Sequence, residues 1–124
     1  MGKLSFNLED KVFVVTGGSR GIGLEIARML LDQKAKVAIC GRKPDGLVAA
    51  AAELEAGDNL LTVAAHVAQP EDVERLFSQT LEAFGRLDGL INNVGMNIVT
   101  GLVDADPGLW GKIIDSNLNG TFLC

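Results

Sequence analysis

The β-branched run Val12-Phe13-Val14-Val15 passes directly into Thr16-Gly17-Gly18-Ser19-Arg20-Gly21-Ile22-Gly23, and a helix-like stretch, Leu24 to Leu31, follows. A short apolar run of this kind reads as a buried strand. A strand that becomes a helix through spaced glycines restricts the possible folds more than any other feature of the chain. Glycine has no Cβ, so the backbone can turn tightly and a ligand can approach its N–H groups. The helix start adds roughly half a positive charge and unpaired donors aimed at an anion. Such a turn suits a nucleotide pyrophosphate. The spacing, Gly17-x3-Gly21-x-Gly23, differs from G-x-G-x-x-G. No Lys-Ser or Lys-Thr follows the last glycine, which excludes a Walker A loop. Taken alone, the glycines also fit a purely structural strand-to-helix turn.

Strand-like and helix-like segments alternate along the rest of the chain. Lys11 to Thr16 reads as the first strand and Gly21 to about Gln33 as the first helix, with Ile26, Met29, Leu30 and Leu31 apolar. Lys36 to Cys40 is a second strand, and Asp45 to Ala56 an alanine-rich helix ended by Gly57. Leu60 to Ala65 is a third strand. Pro70 opens a helix, where its missing N–H costs nothing. Val73, Leu76, Phe77, Thr80, Leu81 and Phe84 make a one-sided stripe along it, and Gly85 ends it. Leu87 to Ile91 is a fourth strand, stopping at Asn92-Asn93-Val94-Gly95. Asp106 caps and Pro107 opens a last helix. Alternation with short connections predicts an α/β fold, a doubly wound Rossmann-type parallel sheet covered on both faces. The expected strand order is 3-2-1-4, with the ligand at the carboxyl ends of the strands. Residues 1–124 read as one dinucleotide-binding domain, apparently truncated inside the helix after strand four.

Charge and cysteine content narrow the function classes. A formal net charge of −5 argues against a nucleic-acid partner, whose phosphates need a basic face. No apolar run reaches the roughly 18 residues of a membrane span. Met1 to Asn7 lacks the apolar core of a signal peptide. Cys40 and Cys124 are too few and too unpatterned for a disulfide framework or a metal site. A soluble cytoplasmic protein is the expectation these exclusions leave.

Thr16-Gly17-x3-Gly21-x-Gly23 resembles the cofactor motif of the short-chain dehydrogenase/reductase family, and TGGSRGIG is one of its common forms. The resemblance implies that Gly17, Ser19, Arg20, Gly21, Ile22 and Gly23 hold the pyrophosphate and ribose of a nicotinamide dinucleotide. Strand two ends Gly41-Arg42-Lys43, with no carboxylate until Asp45. In dinucleotide folds an acid near this place binds a free ribose 2′-OH, and a basic residue accommodates a 2′-phosphate. Arg42 could fork onto that phosphate, joined by Arg20; the other reading makes Arg42 and Lys43 solvated loop charges. Family members with basic residues at both places generally prefer NADP, so NADP is expected over NAD. His66-Val67 stands where the family usually has Asp or Asn followed by Val against the adenine. His66 is the only histidine, and either a rim contact to adenine or no role suits it better than catalysis. Asn92-Asn93-Val94-Gly95 resembles the family's Asn-Asn-Ala-Gly, which places Asn93 near the nicotinamide-side ribose and lets the cofactor lie close at Gly95. It also fits an ordinary Asn-rich turn. In the last helix, Trp110, Ile113, Ile114, Asn117, Leu118 and Thr121 share one side. An amide in that stripe needs partners, supplied by a kink in its own helix or by a site. Asn117-Leu118-Asn119-Gly120 matches the family's Asn-x-x-Gly, whose Asn holds a water in the proton relay.

Family members move the substrate proton with a Tyr, a Lys four residues later and an upstream Ser. This chain contains no Tyr, and neither Ser116 nor Lys112 stands in for the trio. The resemblance covers nearly the whole chain but about the N-terminal half of a typical member. The resulting expectation is the cofactor-binding half of an NADP-dependent carbonyl/alcohol oxidoreductase of ketoacyl or tropinone reductase flavour. It would act on a small-molecule substrate and form a homo-oligomer. The competing reading is a non-catalytic nucleotide-binding or regulatory protein.

Overall fold

The computed structural model describes residues 4–124, so Met1 to Lys3 of the segment read for a signal peptide lie outside the described residues. Four parallel strands, β1 (Val12–Thr16), β2 (Lys36–Gly41), β3 (Leu60–Ala64) and β4 (Gly89–Ile91), form one sheet in the order β3-β2-β1-β4. Val14 lies beside Ala38 on one neighbour and Leu90 on the other, and Ala38 beside Leu61, so one register crosses the sheet. The connections are α1 (Gly21–Asp32), α2 (Pro44–Leu54) and α3 (Pro70–Phe84). Beyond β4 come α4 (Pro107–Ile114), a π-helical turn (Asp115–Asn119) and α5 (Gly120–Leu123).

Successive strand residues point to opposite faces, and the core divides accordingly. Val15, Val37 and Ile39 meet Leu24 and Ala27 of α1 and Leu47 and Ala50 of α2. Val14, Ala38, Cys40 and Val63 meet Leu76 of α3 on the other face, with Phe77, Phe84 and Cys124 packed alongside. Both faces of the sheet are therefore covered, which explains why β1 and β2 read as continuous apolar runs.

Element boundaries differ from the expected ones for local reasons. The helix expected to run to Ala56 ends at Leu54, because Glu55 takes the left-handed conformation (φ 48°) and its N–H returns to the Ala51 carbonyl. β4 begins at Gly89 rather than Leu87. There Asp88 bonds to β1 through its side chain, Val12 N–H donating to Asp88 Oδ2 at 2.8 Å. The Asp106 carboxylate accepts from Leu109 N–H at 3.1 Å and caps α4, as the Asp-Pro pair predicts. Among the described residues no helix is long and apolar enough to cross a membrane.

Candidate functional site

Because all four strands are parallel, the segments that follow them open at one edge of the sheet. The glycine turn after β1, Arg42 after β2, Ala65 to Val67 after β3 and Asn93 to Met96 after β4 line a single groove of about 500 Å³. The groove spans the point where the chain order reverses around β1, the ligand crevice of open α/β sheets.

The start of α1 forms its floor. Arg20 occupies the N-cap position in extended conformation with no side-chain cap, and the first turn contains no acid. The first intrahelical bond runs from Leu24 N–H to Arg20 O at 3.3 Å, leaving the preceding N–H groups without helical partners. Two glycines make the turn possible. Gly17 sits at φ +64°, in the left-handed region. At Gly23, a Cβ would collide with the Gly17 carbonyl oxygen and stand 2.5 Å from Asn93 Nδ2.

The turn is tied to the segment after β4. The buried Thr16 Oγ1 accepts from Asn93 N–H at 3.0 Å and from Val94 N–H at 3.3 Å. Asn93 Nδ2 donates to Gly17 O at 3.2 Å. Thr16 is a positioning residue that sequence reasoning treated only as part of a motif. Its one signal is a hydroxyl at the buried end of an apolar strand. Gly120 is a second residue outside the candidate set. Its missing Cβ lets α5 close on Val67, whose Cγ2 would lie 2.6 Å from a methyl there.

Of the candidate residues, Gly17, Ser19, Arg20, Gly21, Arg42, His66, Val67, Asn93 and Gly95 all line the groove. Ile22 and Gly23 do not. Ile22 turns its side chain to solvent, and Gly23 packs beneath the turn. Asn117 stands behind the rim and clips the loop. Its Oδ1 accepts from Met96 N–H at 2.7 Å, and its Nδ2 donates to Met96 O at 2.8 Å. The exposed amide thus ties its helix to the loop after β4.

Arg20 and Arg42 are both exposed, and neither pairs with a carboxylate among the described residues. Among the described residues no Asp or Glu lines the groove. In a chain of net charge −5, that arrangement favours an extended anion. Cys40 also reaches the groove, but burial pushes its thiol up to about 11, so it is no nucleophile at neutral pH. A second hollow, between Phe6 and Leu8 and the α1 residues Ile26, Met29 and Leu30, has apolar walls and lies away from the loops that follow the strands.

The family model for short chain dehydrogenases matches residues 11–124. An uncharacterized oxidoreductase of Staphylococcus saprophyticus is 36% identical over 116 residues, covering 92% of this chain and 50% of the relative. Another, from Staphylococcus aureus, is 38% identical over 114 residues, covering 92% of this chain and 49% of its own length. The crystal structure of a short chain dehydrogenase from Bacillus anthracis superposes with a TM-score of 0.91 at 36% identity, over 94% of this chain and 49% of that one. A 3-ketoacyl-(acyl-carrier-protein) reductase from Brucella melitensis, solved in complex with NADH, gives 0.88 at 32% identity over 94% and 48%. The chain spans about half the length of the curated relatives it matches.

Proposed function

The chain belongs to the short-chain dehydrogenase family, and from that premise we propose that it is the dinucleotide-binding domain, residues 1–124, of an NADP-dependent oxidoreductase that interconverts a carbonyl and a secondary alcohol. One observation carries this reading: a groove over an uncapped helix start, flanked by Arg20 and Arg42 and free of carboxylates. The donors and the glycine cradle fit a nicotinamide dinucleotide, which when bound supplies the hydride chemistry.

In this reading the N–H groups of the turn from Gly17 to Gly23, apart from that of Gly18, which donates to Cys40 O, meet the pyrophosphate, with Ser19 beside them. Arg42, with Arg20, meets the ribose 2′-phosphate, since the first acid after β2, Asp45, is not among the groove-lining residues and Arg42 is. His66 and Val67 face the adenine, and Asn93 and Gly95 the nicotinamide side. Asn117 supports the proton relay by holding Met96 and the loop around it in place. The Brucella reductase was solved with NADH, so the preference for NADP rests on the two arginines of this chain. Relatives named as oxidoreductases favour an enzyme over a regulatory nucleotide-binding protein. A cytoplasmic location, a homo-oligomer and a small carbonyl or alcohol substrate complete the proposal.

Titration of the chain with NADPH and NADH tests it. A charge-assisted contact to the extra phosphate is worth about 1.5–3 kcal/mol, roughly ten- to a hundredfold in affinity. NADPH should bind tighter by that factor, and Arg42→Asp should erase or reverse the difference. Equal affinities in the unmodified chain would remove Arg42 from phosphate recognition.

A further inference from the structure

We propose that His66 meets the purine of the bound dinucleotide as a hydrogen-bond donor, so that the site takes a 6-oxo purine as readily as adenine. The inference rests on the dinucleotide reading above and deepens it at the base.

The strand order gives the base its place. Pyrophosphate over the start of α1 lies beyond β1, and the ribose 2′ position falls beyond β2, beside Arg42. A base continuing in that direction arrives beyond β3, at Ala65, His66 and Val67, which line the same groove.

Three hydrogen bonds hold His66. Its N–H donates to Asp72 Oδ2 at 2.8 Å, and its carbonyl accepts from Gln69 N–H at 2.9 Å. Its ring Nδ1 accepts from Ala68 N–H at 3.1 Å. A ring nitrogen that accepts carries no proton, so the neutral imidazole carries its proton on Nε2. Among the described residues Nε2–H has no acceptor. The nearby carboxylate is already engaged, with Asp72 Oδ1 taken by Arg75 at 2.9 Å and Arg75 also donating to Ala64 O.

The groove therefore offers the purine edge a donor and no carboxylate. The 6-amino group of adenine is itself a donor, so it finds no partner in this side chain, which can meet adenine only at a ring nitrogen. A 6-oxo purine presents an acceptor at the same corner.

The experiment measures dissociation constants of the chain for NADPH and for its hypoxanthine analogue by calorimetry. The two should agree within about threefold, the scale of one neutral hydrogen bond exchanged for water. His66→Asp turns the donor into an anionic acceptor and should shift the ratio toward adenine by about tenfold or more. His66→Ala, which removes the donor without supplying an acceptor, is measured in parallel and should shift the ratio the same way by less. It decides the matter if the aspartate variant does not fold. His66 is the only histidine, so long-range ¹H–¹⁵N correlation at mildly alkaline pH reports its tautomer without assignment, and protonated Nε2 is expected. Adenine preferred tenfold by the unmodified chain, a ratio unmoved by substitution, or a proton on Nδ1 overturns the inference while leaving the dinucleotide site standing. Failure of both dinucleotides to bind overturns the functional reading itself, and this inference with it.

Discussion

At Gly23 a methyl group has no space that a side-chain rotation could open. It would meet the carbonyl oxygen of Gly17, which is backbone, and the amide of Asn93, which is committed to that same carbonyl. At Gly21 the surroundings are empty within 4 Å, and only the left-handed φ of +59° opposes a side chain. The two glycines of one motif are therefore needed for different reasons, close approach at one and backbone conformation at the other. Gly23→Ala should cost about 1–3 kcal/mol, as overpacking does in a tight interior. Gly21→Ala should cost about 1–2 kcal/mol from the left-handed conformation alone. Urea denaturation of both variants checks this. The further expectation is that NADPH affinity falls more in Gly23→Ala, because displacing Gly17 moves the cradle. A Gly23→Ala protein as stable as the parent would show that the turn has room to relax.

Among the elements, β4 shows how a side chain can take over from a strand. Asp88 exchanges two bonds with Val12, its N–H donating to Val12 O at 2.8 Å and its carboxylate accepting from Val12 N–H. Arg86, through its bond to Asp88 Oδ1 at 2.6 Å, and then the Val12 N–H hold that carboxyl below the usual carboxylate range. A group with a lowered folded pKa contributes stability that is complete above the unfolded value, about 4, and lost as pH falls through the folded one. Asp88→Asn should therefore melt lower than the parent at neutral pH, with the gap closing as pH falls through the lowered folded value and the carboxyl takes up its proton. A gap that persists in acid would mean the hydrogen bonds, not the charge, set the difference. The four strands and the first three helices were legible because each carries its own periodicity and its own stop, such as Gly85 at φ 76°. The shortened β4 was not, since an Asp that substitutes for a ladder bond looks like any loop acid. Nor was the π-helical turn in the last helix. Its cause is tertiary, with Gly120 N–H reaching back to Asp115 O and Gly120 itself pressed onto Val67. The groove followed from motifs after β1, β2, β3 and β4. The Thr16 and Asn117 contacts did not, because they join residues 77 and 21 positions apart.

For the molecule as a whole, apolar surface is unevenly distributed. The segment after β4 and the last helix leave Val99, Leu102, Val103, Trp110, Leu118 and Phe122 exposed, Val103 at 97% and Phe122 at 84%. Large apolar side chains left in water along one part of a chain favour association. The isolated chain should associate with itself, giving a light-scattering mass that rises with concentration, whereas a constant monomer mass to high concentration would show these residues to be harmless. Binding and turnover then separate on chemical grounds. To an anion the groove offers the free donors of α1, two arginines that are unpaired among the described residues, and a loop clipped in place by Asn117. What a carbonyl needs as it accepts hydride is a proton donor beside the developing alkoxide, worth about 10²–10⁴-fold. Preorganised donors around that oxygen contribute further. The chain has no Tyr. The Cys40 thiol is buried and pushed to about 11, a poor acid for the task. Asn117 has both its amide atoms on Met96, and His66 stands after β3, on the opposite side of β1 from the β4 loop. The 124-residue chain should therefore bind NADPH and fail to oxidise it with any of a panel of ketones. NADPH absorbance, followed on protein of confirmed mass, checks this. Turnover within about tenfold of a full-length relative would place a proton donor in this chain after all, and His66 and Lys112 would be the residues to replace first.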